Sequence, residues 1–220
     1  MLACSLFFAG AYQYDYIDIK IGKQGNKQLP FAVGCAMLAV RNLQEVRQME
    51  LNDIYDEHRN LTGKVHRRGT HWQEGEYGLV VCVWVYDGRG HVLLTRRAKG
   101  KSYAGTWENS GGAVKAGETS REAVARELFE ETGIKADPEE FELLATDRDR
   151  NMFYDHYCLK RLVRLSDIVL LPGETDDVMW ASFGKVHWMI RSGKICKVIA
   201  HQFFRQEKQL RLRNMPNFIP

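Results

Sequence analysis

The sequence predicts an α/β fold, and three observations carry that expectation. From Met49 onward, short runs rich in β-branched and aromatic residues alternate with helical stretches. Glycine, asparagine and aspartate gather between those runs as turn signals. The stretch 120–132 has helix start and stop signals on its two sides.

Taken in order, residues 51–56 and 64–68 flank a polar stretch with Asn60 and Gly63 and read as a hairpin. Residues 79–86, rich in Val, Trp and Tyr, read as a buried strand. Asp87, Gly88 and Gly90 supply a turn before a second strand over 91–96. Gly100, Gly105, Gly111 and Gly112 punctuate the following loop and strand. The helix over 120–132 begins at Thr119 or Ser120, whose hydroxyl can accept from a free backbone N–H. It stops at Gly133, because glycine takes the left-handed C-cap conformation cheaply. Strands are expected over 141–146, 152–165 and 177–183, a short helix over 185–192 and a longer one over 195–213. No internal repeat or low-complexity tract is visible.

The 220 residues, 45% hydrophobic and 27% charged, suit one domain of ordinary composition with an appendage. Residues 1–48 lack a clear period and read as an N-terminal extension. Either the native start is Met49, or the extension is an arm, disordered or packed on the domain over 49–220. The net charge of +3 is compatible with an anionic substrate and far from a nucleic-acid footprint. Basic clusters at His66-Arg67-Arg68, Lys160-Arg161 and 205–213 read as solvated faces, and nucleic acid is not an expected partner. The five cysteines, Cys4, Cys35, Cys82, Cys158 and Cys196, form no CxxC pair, so neither a zinc ribbon nor a dithiol motif is indicated. Reduced thiols in a cytoplasmic protein are the simplest reading. Apolar runs at 2–11 and 31–40 fall short of the roughly 18–20 residues of a membrane span, and no membrane is expected.

The informative segment is 112–134. Residues three and four apart share a helix face, so Glu127, Glu130 and Glu131 are expected on one patch. Three carboxylates so close repel one another, and oxygen-only ligands suit a hard divalent cation such as Mg²⁺ or Mn²⁺. Ala123, Val124 and Leu128 offer apolar contacts to anchor the helix. Glu118, in the loop before it, can pair with Arg126 and orient the ligands. Gly111 and Gly112 let the backbone approach closely, so that a carbonyl there reaches a metal. Three helical glutamates alone read as a solvated acidic face. Nine fixed positions from Gly112 to Ile134 do not, since average residue usage would produce them on the order of once in 10⁷ chains.

This segment resembles the Nudix box, G-x5-E-x7-R-E-U-x-E-E-x-G-U with U aliphatic, at every position: Gly112, Glu118, Arg126, Glu127, Leu128, Glu130, Glu131, Gly133 and Ile134. Residues 92–97, ending in Arg96-Arg97, and 103–109, with Trp107, resemble the strand and loop that precede the box. The resemblance implies an αβα sandwich around a mixed sheet, and a hydrolase that cleaves a diphosphate linkage in a nucleoside diphosphate derivative or similar small molecule. It implies Mg²⁺ or Mn²⁺ held by Glu127, Glu130, Glu131 and the Gly112 carbonyl, with Glu118 supporting Arg126. A box glutamate or Glu174 would take the proton of the attacking water; Glu174 reads equally as an ordinary loop acid. Arg96 or Arg97 would contact phosphate or form a structural salt bridge, and Trp107 would line the pocket or pack inside. Many relatives form homodimers, and nothing in this sequence demands one.

Two rivals follow. Residues 50–69 resemble the subgroup related to isopentenyl-diphosphate isomerase. That chemistry needs a cysteine in the strand before the helix loop, and histidines for a metal. The stretch 108–113 has neither, and Gly78 and Cys82 stand where related sequences often have histidine. Cys82 reads as a small buried apolar residue. A non-catalytic ligand sensor is the other rival, but such domains usually lose box glutamates and this chain keeps them.

Overall fold

The computed structural model describes residues 50–214. The extension over 1–48 and the expected start at Met49 lie outside the described residues. Strands β1 (Leu51–Tyr55) and β2 (Leu61–Arg67) form a separate antiparallel pair. The Asp56 carboxylate turns the chain between them by accepting from the N–H groups of His58 and Asn60.

The main sheet is mixed, with β3 (Gly78–Tyr86) at its centre. Along its whole length β3 runs parallel to β8 (Met152–Lys160), which β7 (Glu142–Asp149) flanks antiparallel. The other edge of β3 is shared. Val80–Val83 pair with β6 (Ser110–Ala113), and Tyr86 pairs with Val92 of β4 (His91–Arg97). β4 in turn pairs with β9 (Thr175–Ser182) and, through Thr95 and Arg96, with β5 (Trp107–Glu108).

Side chains alternate across a strand, and β3 is apolar on both faces. Leu79, Val81, Val83 and Val85 pack with Ala123, Val124 and Leu128 of helix α1 (Ser120–Thr132). Trp84 and Tyr86 join Leu94 and Trp107 against α2 (Phe183–Arg191) and α3 (Lys197–Arg213), through Phe183, Val186, Met189, Phe203 and Leu210. Two cores on opposite faces of one sheet make the αβα sandwich. The buried Trp84 indole donates to Gln206 at 2.7 Å, so its N–H is not stranded.

Helix α1 has the bounds the sequence predicts. Thr119 and Glu122 form a capping box, and Gly133 closes the helix at φ +70°, its N–H donating to the Phe129 carbonyl. Other bounds differ. The strand expected over 152–165 ends at Lys160, because β3 ends at Tyr86 and the Arg161 N–H makes the last cross-strand bond to the Tyr86 carbonyl. α2 starts two residues early, at Phe183, where Ser182 caps it and the Phe183 ring is buried. α3 starts at Lys197, since Ile195 is held in a bridge to Trp107. β2 starts at Leu61, which Tyr55 of β1 holds opposite.

One buried acid joins four elements. Asp155 of β8 accepts from Arg59 in the hairpin turn (2.5 Å), Ser120 of α1 (2.5 Å) and Thr146 of β7 (3.0 Å). Removing it takes the shared acceptor from Arg59, Ser120 and Thr146 and leaves a part-buried guanidinium without its carboxylate. Asp155→Ala is expected to lower the unfolding free energy by about 3 kcal/mol, read as a lower urea midpoint at constant slope. A loss below about 1 kcal/mol would show the network to be no stronger than a surface pair.

Candidate active site

The loop that leads into α1 is clamped before the helix begins. The Asn52 side chain donates to the Val114 carbonyl at 2.7 Å, the Ala116 N–H to the Leu51 carbonyl at 2.8 Å and the Gly117 N–H to the Asp53 carboxylate at 2.7 Å. The hairpin strand β1 thus fixes the chain over 114–117. Within the loop, the Lys115 N–H donates to Glu118 at 3.0 Å.

Arg126 then ties loop, strand and helix together. Its Nε and Nη2 donate to the two oxygens of Glu118 at 2.7 and 2.9 Å, the pairing the sequence predicts. Nη2 also reaches the Ala113 carbonyl at 3.1 Å, while Nη1 donates to Glu127 at 2.7 Å and Glu130 at 3.3 Å. Burial opposes the charge on Arg126, but the bond to Glu118 and the charges of Glu127 and Glu130 outweigh it and raise its pKa.

The helix acids do not all point one way. Among the described residues, no three acid, histidine or cysteine side chains form a ready cage. Glu130 turns toward Arg126 and Lys115. Glu127 lies over Gly112, where an added methyl would run into its carboxylate. Burial raises the Glu127 pKa, with Arg126 working against the rise. Glu131 sits near Ser110 of β6, and one of its oxygens is shut from solvent without a hydrogen-bond partner. Burial first, then the charges of Glu127 and Glu108, holds the Glu131 carboxyl well above the usual carboxylate range. An orphaned buried oxygen among oxygen donors, beside a glycine strand, fits a hard divalent cation.

Of the remaining predicted residues, Glu174 and, through Glu108, Arg97 adjoin this acid cluster. Glu174 is ion-paired with Lys101, and its charge reaches both Glu131 and Glu108. Nη1 of Arg97 donates to both oxygens of Glu108, at 2.7 and 2.8 Å, and its Nε donates to the Ser102 carbonyl. Arg96 pairs with Asp176 at 2.6 Å and lies over the Trp107 ring. Trp107 itself is buried in the core beneath α2 and α3. Both arginines are therefore engaged in ion pairs within the protein.

Glu108 and Cys82 were not singled out for this cluster by the sequence. Burial raises the Glu108 pKa despite its bonds to Arg97. Cys82 is buried, and its thiol is pushed up to about 12 by burial and by the charges of Glu108, Glu131 and Glu127. It stays protonated. The only sequence signal for Glu108 was an acid next to Trp107, too local to show a partner from another strand.

Fold and site define an α/β domain that gathers carboxylates on one capped helix against a glycine strand. The NUDIX domain family model matches residues 76–197, more than half of the chain, and the chain belongs to the Nudix family; it is a Nudix hydrolase. An uncharacterised Nudix hydrolase of Listeria innocua is 33% identical over 148 residues, which cover 66% of this chain and 88% of that one. An isopentenyl-diphosphate Delta-isomerase of Cutibacterium acnes is 30% identical over 154 residues, covering 63% of this chain and 77% of that one. The crystal structure of a Deinococcus radiodurans protein superposes with a TM-score of 0.61 over 71% of this chain and 99% of that one; at 20% identity it shows the fold alone.

Two predictions come from this geometry. A methyl at Gly112 first meets the carboxylate end of the Glu127 side chain, whereas one at Gly111 meets the Val81 backbone. Gly112→Ala should therefore melt near the wild-type temperature yet lose activity, while Gly111→Ala should melt lower; equal melting of the two variants would contradict the packing. The raised Glu131 pKa means that the folded metal-free protein keeps a proton the unfolded chain releases. That contribution to stability is fully present below the unfolded value, about 4.3, and is lost as pH rises through the raised folded value. With chelator at neutral pH, Glu131→Gln should melt about 2–4 °C above wild type. The gap should close toward acid, and a gap independent of pH would count against the burial of the charge.

Proposed function

We propose that this protein hydrolyses the diphosphate linkage of a nucleoside diphosphate derivative or similar small molecule, with Mg²⁺ or Mn²⁺ bound at the α1 acids. The observation that carries this reading is the Glu131 oxygen, buried and unpartnered, next to Glu127 over Gly112. Glu127, Glu130, Glu131 and the Gly112 carbonyl would hold the metal. When bound, the metal supplies charge neutralisation for the phosphate oxygens and a more acidic water.

The chain's own groups do the rest. Glu118 fixes Arg126, and Arg126 holds Glu127 and Glu130 in place by hydrogen bonds. Water's oxygen bonds to phosphorus, the bridging P–O bond breaks, and the departing phosphate carries away the electron pair. The water proton passes to a helix glutamate or to Glu174, which Lys101 positions near Glu131. Most of the rate enhancement comes from this positioning and charge compensation.

A panel of nucleoside diphosphate derivatives with Mg²⁺ or Mn²⁺ tests the reading through product identification. Glu127→Gln should abolish turnover, and Glu118→Gln should weaken metal affinity by about 10–100-fold. Turnover at wild-type rate in Glu127→Gln, or with chelator present, would overturn the proposal. If Glu174 is the base, Glu174→Gln should remove the acidic limb of the pH–rate profile while leaving metal affinity intact.

The isomerase reading has one observation in its favour: the protonated Cys82 thiol lies electrostatically close to Glu127 and Glu131. Conversion of isopentenyl diphosphate without phosphate release, lost in Cys82→Ala, would establish it instead.

A further inference from the structure

Between residues 183 and 213, which hold α2 and α3, the sequence has eight lysines and arginines against one glutamate. That is a net +7 in a chain whose total is +3. Three of these cations are committed within the protein: Arg205 to Asp147, Arg211 to Glu207 and Arg213 to Glu142. The other five, Lys185, Arg191, Lys194, Lys197 and Lys208, pair with no carboxylate among the described residues, and all are exposed. Both helices bury their inner sides against one sheet face, so their outer sides face the same way. His187 of α2, its ring 5.6 Å from that of Phe204 of α3 and hydrogen-bonded to Glu207, joins the two into one surface.

Apolar side chains stand among those cations. Trp188 is 45% exposed, Val198 51%, Phe204 53% and Leu212 39%. Lys185 and Lys194 each hold an ammonium 4.7 Å from the centre of the Trp188 ring. On α3, Lys197, His201, Phe204, Lys208 and Leu212 share one outer stripe, because their spacing of three or four residues repeats at the helical period. Exposed large hydrophobics gathered in a patch mark an interaction surface rather than chance.

From this surface we infer that the α2–α3 layer docks on an anionic phospholipid bilayer. Charge complementarity selects a polyanion. The side-chain types select a bilayer over a nucleic acid. Val198 and Leu212 offer nothing to a base or a phosphate, but they sit well at an acyl-chain boundary. Four of the five unpaired cations are lysines, whose stems lie along apolar surface while the ammonium reaches lipid phosphates. Arginine, the residue suited to forked phosphate and base contacts, is nearly absent from the free set. This is surface adsorption. The sequence expectation of no membrane rested only on the lack of a spanning stretch, and among the described residues no helix is long and apolar enough to cross.

The test is co-sedimentation of the full chain with vesicles of phosphatidylcholine alone and of phosphatidylcholine with phosphatidylglycerol. Binding is expected only to the anionic vesicles and should fall steeply with added salt. The variant Lys185→Glu/Lys194→Glu/Lys208→Glu should bind at least about 100-fold more weakly, since each lysine near an anionic surface contributes roughly five-fold. Its melting temperature and its hydrolysis of soluble substrate should stay at wild-type values. Phe204→Gln, which keeps every charge, should also weaken binding. No binding to anionic vesicles, equal binding by the triple variant, unchanged binding by Phe204→Gln, or tighter binding of a single-stranded RNA oligonucleotide than of vesicles would each overturn the inference.

Discussion

Like charges gathered on the last two turns of α1 have to be held in place by the protein itself. Two unit charges 4 Å apart interact by about 4 kcal/mol at the effective dielectric typical near a protein surface. Arg126 answers that repulsion from within. Its planar fork serves both oxygens of Glu118, one oxygen each of Glu127 and Glu130, and the Ala113 carbonyl. A lysine there would offer a point charge without fixed directions and would not bind five oxygens in a set geometry. Glu131 is the acid Arg126 does not reach. The charges that act on it most strongly are those of Glu127, Glu108 and Glu174, all of its own sign.

The rest of the fold serves that arrangement. The hairpin β1–β2 adds little to the core, as β2 is exposed along nearly all its length. Its contribution is the set of bonds from Asn52, Leu51 and Asp53 that fix the loop before α1. Asp155 then ties the hairpin turn to the first residue of the helix through Arg59 and Ser120. Loop and helix are thereby held to the same reference, which lets Glu118 of the loop meet Arg126 of the helix in a fixed geometry.

What the sequence made legible follows from where the information lies along the chain. Capping at Thr119, the stop at Gly133, the burial of Ala123, Val124 and Leu128, and the Glu118–Arg126 pair are all local consequences of spacing within one segment. Glu108 and Cys82 join the acid cluster through sheet pairing, which brings Cys82 opposite Gly111 and Thr95 opposite Glu108. No local period encodes those pairings. Arg96 and Arg97 could not be assigned for the same reason, as their partners Asp176 and Glu108 come from β9 and from β5. The glycines were legible as a close approach, but not in kind. Gly111 meets the backbone of β3, and Gly112 meets a side chain from α1.

On the proposed reading, the electrostatics impose an order on binding. A diphosphate brings negative charge to a place where the charges of Glu127 and Glu108 already raise the pKa of Glu131. Arg97 and Lys101 are occupied by Glu108 and Glu174, and Arg126 by Glu118 and the helix acids. Taking any of these cations for phosphate would uncover a partly buried carboxylate, a cost of several kcal/mol for the better-buried pairs. The protein's paired cations are therefore poor phosphate ligands in the metal-free state. Charge reversal at the site has to come from outside the chain, and the substrate enters with its cation or after it.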